Sequence, residues 1–254
     1  LGWGAFCLAA PISLAERTSD ADRGFWFMRF GTIQMVGIGG CPAVAAFAIH
    51  SWHWPLSSVL YVVGGLCALA ALMLETFGRI LPHAPASPQQ ERWLRHIGAI
   101  SRTRAAYPII MISLCACVFS GLMTFQMSLV QGTRAQASTF FSIYAVTVIT
   151  ARWLLGRLVI RLHREAATKM LLVIMVLGIA AMFAVPYYPM FHPASAVLLG
   201  TGYGLVYPTI QAQAVNDSEA MHRQAALTWF VVSYFIGTFG FPAVGAWVLV
   251  NMGR

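Results

Sequence analysis

Charge is what this chain has least of. Of its 254 residues only 8 are acidic and 16 basic, so charged side chains make up 9% of the sequence against 59% hydrophobic ones. Ordinary soluble domains carry roughly 25% charged residues, and so few ions cannot keep a surface of this size in water. A water-soluble enzyme is excluded, and so are disordered and fibrous chains. The net charge of +8 invites a nucleic-acid reading. A binding domain, however, gathers its basic residues on one solvated face, and here long apolar runs separate them. Cysteine is sparse as well. Cys7, Cys41, Cys67, Cys115 and Cys117 are odd in number, lie in apolar runs and form no CxxC or zinc spacing, so they read as small thiols buried in helix packing. What remains is an all-α, polytopic membrane bundle. No cofactor is implied, and the expected partners are the lipid bilayer and a small-molecule solute, not nucleic acid.

A bilayer core takes roughly 20 apolar residues per helix. The runs predict about eight spans: a partial one over Leu1–Leu14, then Phe25–Ile49, Pro55–Phe77, Tyr107–Val130, Ser138–Leu162, Lys169–Val185, Pro193–Ala214 and Ala225–Val250. The chain opens on Leu1 inside an apolar run, with no signal peptide in view, as expected of part of a longer protein. Between the third and fourth spans, residues 78–105 carry three prolines and five arginines and read as a linker. It separates residues 1–77, part of one bundle, from residues 106–254, a second bundle short of its last helix. Ser87-Pro88 fits an N-cap followed by proline at the first helical position. A short helix over Pro88–Ile100 is therefore expected at the membrane surface, with Trp93, Ile97 and Ile100 toward lipid and Arg92, Arg95 and His96 toward headgroups.

Basic residues set the orientation. With Arg29 and Arg152 assigned to their nearest loops, alternate loops hold fourteen basic residues on one side and one on the other. By the positive-inside rule, loops 15–24, 78–105, 163–168 and 215–223 are cytoplasmic in an inner or plasma membrane. The opposite loops, residues 50–54 and 187–192, are rich in aromatics, as an interfacial belt requires. His50 and His53 stand three apart in the first of these, but no carboxylate or cysteine joins them as a metal ligand, and an interfacial role accounts for them.

The chain also repeats itself. Arg23 leads to Gly37, Gly40, Pro42, Ala43, Val44 and Ala46, and Arg223 leads at identical spacing to Gly237, Gly240, Pro242, Ala243, Val244 and Ala246. Both copies leave a basic loop and enter the membrane in the same direction. Such a parallel repeat relates the two halves of two-bundle transporters, and its small residues read as a helix-packing motif.

Together these features resemble a transporter of the major facilitator superfamily, over the fourth to eleventh of its twelve helices. Gly156-Arg157-Leu158-Val159-Ile160-Arg161-Leu162-His163-Arg164 is similar to the family's G-x-x-x-D-R-x-G-R loop. Gly156, Arg161 and Arg164 match it, whereas Ile160 replaces the acid that normally helps hold the bundles closed, and His163 replaces a glycine. Gly200–Pro208 resembles the tenth helix. Gly37–Ala46 resembles the Gly-Pro motif of the exporters' fifth helix, with Cys41 for one glycine and Ala45-Ala46 for a glycine pair. The resemblance implies a secondary transporter working by alternating access on a small organic solute, with export favoured over import. It also implies that the sixth and ninth family helices are peripheral, and the spans Pro55–Phe77 and Lys169–Val185 are indeed almost without polar side chains.

Polar groups within the other spans should face protein or water. Arg152, one turn before Gly156, reads either as an anion-binding or coupling residue with Tyr144 on a similar face, or as an arginine that snorkels or pairs with a carbonyl. Tyr203, Tyr207 and Gln211 form one helical stripe, either against solute or as hydrogen-bonded packing. Gln34, Gln126 and Trp229 are further cavity candidates. Arg29 reads as a snorkelling residue. No carboxylate lies mid-span, and related exporters carry an acid where this chain has Phe235. If the coupling ion is a proton, its carboxylate is expected in helices before Leu1. The alternatives are a non-transporting sensor or degenerate relative, favoured by the eroded loop motif and the missing mid-membrane acid, and a membrane enzyme, for which no nucleophile or acid–base cluster is present.

Overall fold

The computed structural model describes residues 2–80, 97–133 and 135–252, and these are almost wholly helical. The helices are α1 (Gly2–Arg17), α2 (Arg23–Ser51), α3 (Leu56–Ile80), α4 (Ile97–Ile100), α5 (Ala106–Val130), α6 (Ala137–Leu154), α7 (Gly156–Arg161), α8 (Arg164–Ala184), α9 (Phe191–Asn216) and α10 (Arg223–Met252), with a 3-10 turn at Ala220–His222. Every expected span has a helix. Among the described residues α3, α5, α6, α8 and α10 are long and apolar enough to cross a membrane. The chain is an all-α helical membrane protein.

Two compact units are present. The first joins residues 1–35 to residues 93–254. In it α9 is central, packing on α8, α6, α5 and α10, while α5 pairs with α10. Glycine makes the central packing possible. A Cβ on Gly202 would lie 2.9 Å from the backbone nitrogen of Met175 and 3.0 Å from the carbonyl of Leu171, so α8 and α9 touch backbone to backbone. On α8 the buried residues Thr168, Leu171, Met175, Gly178 and Met182 form one stripe, and Val173, Val176 and Phe183 are exposed. One face packs and the rest is apolar surface, which fits a peripheral helix. The second unit, residues 36–92, holds the later part of α2 and all of α3. No residue of α3 is buried, and the α2–α3 turn carries a ring cluster of Phe47, Trp52 and Trp54 with centroids 5.4–5.5 Å apart.

Three expectations are corrected. The span over Ser138–Leu162 is broken at Leu155 into α6 and α7, because Gly156 seats its bare Cα against Met28, whose sulfur would lie 2.9 Å from an added Cβ. The surface helix over Pro88–Ile100 falls outside the described residues except for α4. There Ile100 is not lipid-facing but buried with Ala105, Ala225 and Ala226, since Thr103 bonds back to its carbonyl through both backbone N–H and hydroxyl and turns the chain inward. Of the cysteines only Cys115 is buried, and Cys41 and Cys67 are exposed.

Candidate functional site

Two prolines organise the interior. Pro208 lies inside α9 and Pro242 inside α10. Proline has no N–H, so each frees the carbonyl four residues earlier, and inside a membrane such a group must find another donor. The carbonyl freed by Pro208 is that of Gly204, and Arg152 Nε donates to it at 2.6 Å. The one freed by Pro242 is that of Thr238, and the Ser120 hydroxyl donates to it at 2.5 Å. Arg152 reaches further: its Nη1 donates to the carbonyl of Gly31 on α2. One guanidinium thus ties α6 to the kink of α9 and to the first copy of the repeat.

Arg152 is 4% exposed. Among the described residues the titratable groups around it are Tyr144, Tyr203 and Tyr207, with no carboxylate among them. The two carbonyls accept from it without supplying charge, and holding an uncompensated ion out of water costs several kcal/mol. Around it runs a continuous aromatic array from α5, α6, α9 and α10. Phe140 stacks on Tyr144 (6.1 Å), Tyr144 meets Phe119 (6.3 Å), Phe119 stacks on Tyr203 (4.8 Å), and Tyr207 meets Tyr203, Phe230 and Tyr234. The Tyr144 hydroxyl is buried without a hydrogen-bond partner among the described residues.

A second constellation joins the helix ends. Arg23, 1% exposed, pairs with Asp20 at 2.8 Å and donates to the carbonyls of Ala15 and Thr18 and to Asn216 Oδ1. Gln224 Nε2 donates to Glu16 at 2.6 Å, Arg223 pairs with Asp20 at 3.1 Å, and Asn216 Nδ2 donates to the Asp20 carbonyl. In the repeat, Arg23 corresponds to Arg223 and Glu16 to Asn216. Each copy therefore sends a donor from the start of its second helix to the position-16 acceptor of the other. Their local folds agree too. Thr18 and Ser218 both donate four residues back, to Leu14 and Ala214, at 2.7 Å. The hydrogen bond from Arg23, and the charges of Arg23, Arg223 and Arg164, hold the Asp20 carboxyl below its usual value. A cavity of about 270 Å³ beside this cluster is lined by Asp20, Gly24, Met28, Ile160, Arg164 and Asn216, and Asp20 is exposed while Arg23 is buried.

The expected site residues divide accordingly. Arg152, Tyr144, Tyr203 and Tyr207 come together. Gln211 is buried farther along α9, Gln34 is half-buried on α2, and Trp229 packs instead beside the Ile100 cluster. Gln126 is fully buried and its Nε2 lies 2.6 Å from His192 Nε2, the amide N–H donating. His192, 1% exposed, was legible only as a loop residue beside Pro193. Arg29 stacks on Trp153 at 3.8 Å. Gly156 packs on Met28, while Arg161 and Arg164 are exposed and Arg164 lies 3.8 Å from Asp217. Ile160 rests over Gly24, 3.6 Å from where a Cβ would stand. In the repeat, Gly237 lies against the Ser113 carbonyl, with no room for a Cβ, and Pro242 is half-buried. Gly37, Gly40 and Gly240 have open space around them. The Pro42 side chain lies outside what is described.

The family model of the Major Facilitator Superfamily matches residues 1–249. The chain belongs to this superfamily. No curated protein and no solved structure matches it. As a superfamily member it is a multi-pass membrane protein and a secondary transporter of small-molecule solutes, not an enzyme by family. In superfamily terms, the loop position where an acid is usual holds Ile160, which makes an apolar contact with α2 in its place.

Proposed function

We propose that this superfamily member moves a small organic solute by alternating access. The solute site lies among α5, α6, α9 and α10 around Arg152, Tyr144, Tyr203, Tyr207 and Tyr234, and the loops 15–24 and 215–223 close the cytoplasmic side. The reciprocal pairing of the two repeat copies carries the reading. A contact between equivalent positions of two copies is what a pseudo-symmetric gate needs, because rocking one copy against the other breaks all of its bonds together. The basic loops that meet at this gate are those the charge bias places in the cytoplasm. Export is the favoured direction, supported by the likeness of Gly37–Ala46 to the exporters' fifth helix. Against the sensor reading, Ile160 has a packing partner in Gly24, so the altered loop motif still makes a contact with α2.

The test is solute flux in proteoliposomes of the intact protein, with and without a pH gradient. Saturable flux of an organic solute is expected. Its absence across anionic, neutral and cationic solutes, in protein that is folded and inserted, refutes transport.

A further inference from the structure

Resting on that reading, we infer that the transported solute is an organic anion, whose acidic group binds Arg152 and the Tyr144 hydroxyl and whose apolar or aromatic body lies against the rings of Phe119 and Tyr203. Three independent observations converge on this class. First, Arg152 is a buried cation whose titratable surroundings are neutral tyrosines. Its two acceptors are carbonyls, so its charge still has no counterpart. Second, the Tyr144 hydroxyl, on the same helix, is buried and unpartnered, a donor held ready where no acceptor of the protein meets it. Third, all eight acids lie in loops or at span ends, so α5, α6, α9 and α10 offer a cationic solute no carboxylate and set a repelling guanidinium among their rings. A neutral solute would leave the charge as it is; an anion supplies the charge that its carbonyl acceptors do not.

The geometry also says how such a solute would be coupled to movement. Arg152 Nη1 is held by the Gly31 carbonyl of the first repeat, and its Nε by Gly204 of the second. An anion drawn to the guanidinium weakens the bond to the Gly31 carbonyl by offering Nη1 a charged acceptor, and leaves the Nε bond that serves the carbonyl freed by Pro208. Solute binding thus loosens α2 from α6 while α9 keeps its bond to Arg152.

The experiment is equilibrium binding of benzoate, benzyl alcohol and benzylammonium to the full-length, detergent-purified protein. These probes share a ring and differ in charge. Benzoate is expected to bind best, and Arg152→Gln to weaken it at least about tenfold. Arg152→Lys, which keeps the charge but loses the planar fork, is expected to fall between. Tyr144→Phe removes a hydroxyl without a partner, so thermal unfolding should stay unchanged while benzoate binding weakens about three- to tenfold. Should Arg152→Gln fail to fold, the lysine and phenylalanine variants still decide. Equal binding of the three probes, a preference for benzylammonium, or benzoate binding indifferent to both Arg152→Lys and Tyr144→Phe would overturn the inference. Benzoate binding to a protein that shows no flux keeps the anion site and removes the transport reading. Flux blind to solute charge does the reverse.

Discussion

Replacing Arg23 by Met should open the gate. Arg23 makes four contacts, and they differ in what they report. The pair with Asp20 and the bonds to the carbonyls of Ala15 and Thr18 lie within the first repeat, and they are lost from both gate states alike. Only the bond to Asn216 crosses between repeats. A hydrogen bond from a charged donor contributes about 1.5–3 kcal/mol net, and Arg23 is shielded from water, so no large discount for screening applies. The other crossing contacts, the exposed Asn216 Nδ2 bond to the Asp20 carbonyl among them, are weaker. Arg223–Asp20 and Gln224–Glu16 are exposed or partly so, and such pairs contribute about 0–1 kcal/mol each. Losing the Arg23 term alone should shift the closed-to-open ratio roughly 10- to 150-fold. Spin labels at Ser19→Cys and Met221→Cys, two exposed loop positions, read the ratio as a distance distribution once Cys41 and Cys67 are replaced by Ser. Asn216→Ala removes the same bond and its own exposed bond to the Asp20 carbonyl, so its shift should equal or slightly exceed that of Arg23→Met, and the double variant should add little to Asn216→Ala. Unchanged distributions in both single variants would show that these bonds do not hold the gate.

Two further outcomes follow from the same geometry. Gly237→Ala forces a methyl against the Ser113 carbonyl and should cost about 1–3 kcal/mol through strain between α5 and α10, seen as a lower thermal midpoint in detergent. Gly240→Ala, with open space around it, should be near neutral, and equal effects would refute the packing account. The pH response of the gate has a definite sign. Asp20 has a folded pKa below its ordinary 3.8, so its contribution is fully present above that value and lost only as pH falls through the lower folded one. The closed population should therefore stay flat from about pH 5 to 8, and a midpoint near neutrality in the same distance measurement would assign the switch to another group.

How much of this was legible in the sequence depends on what each feature requires. The helices were, because an apolar run long enough to cross a bilayer admits little else. The repeat was as well, and α2 and α10 begin at its two arginines, Arg23 and Arg223. Its partners were not. Glu16 and Asn216 occupy equivalent places but differ in chemistry, so a search for identical residues passes over them. The free carbonyl of Gly204 can be counted from Pro208 alone, yet only the packed structure says that Arg152 supplies the donor. His192 was hidden by its neighbour: a proline two positions into α9 still permits the helix to begin before it, which draws His192 out of the loop and onto Gln126. Ile100 misled because an amphipathic pattern does not say which apolar surface, lipid or protein, its face will meet.

The two arginines share a design that bears on cycling. Each has acceptors on both sides of the moving contact. When the repeats part, Arg23 loses Asn216 but keeps Asp20 and two carbonyls, and Arg152 loses Gly31 but keeps Gly204. In both cases the acceptor that leaves is an uncharged amide oxygen. Separating a buried ion pair strands two charges and costs about 3–5 kcal/mol, which would make a gate slow to open. Separating a guanidinium from an amide strands none. The difference between the two lies in what remains: Arg23 retains a carboxylate and needs nothing more, whereas Arg152 retains only a carbonyl. The gate arginine can therefore open unaided, and the interior arginine is completed only by a ligand that brings the missing negative charge.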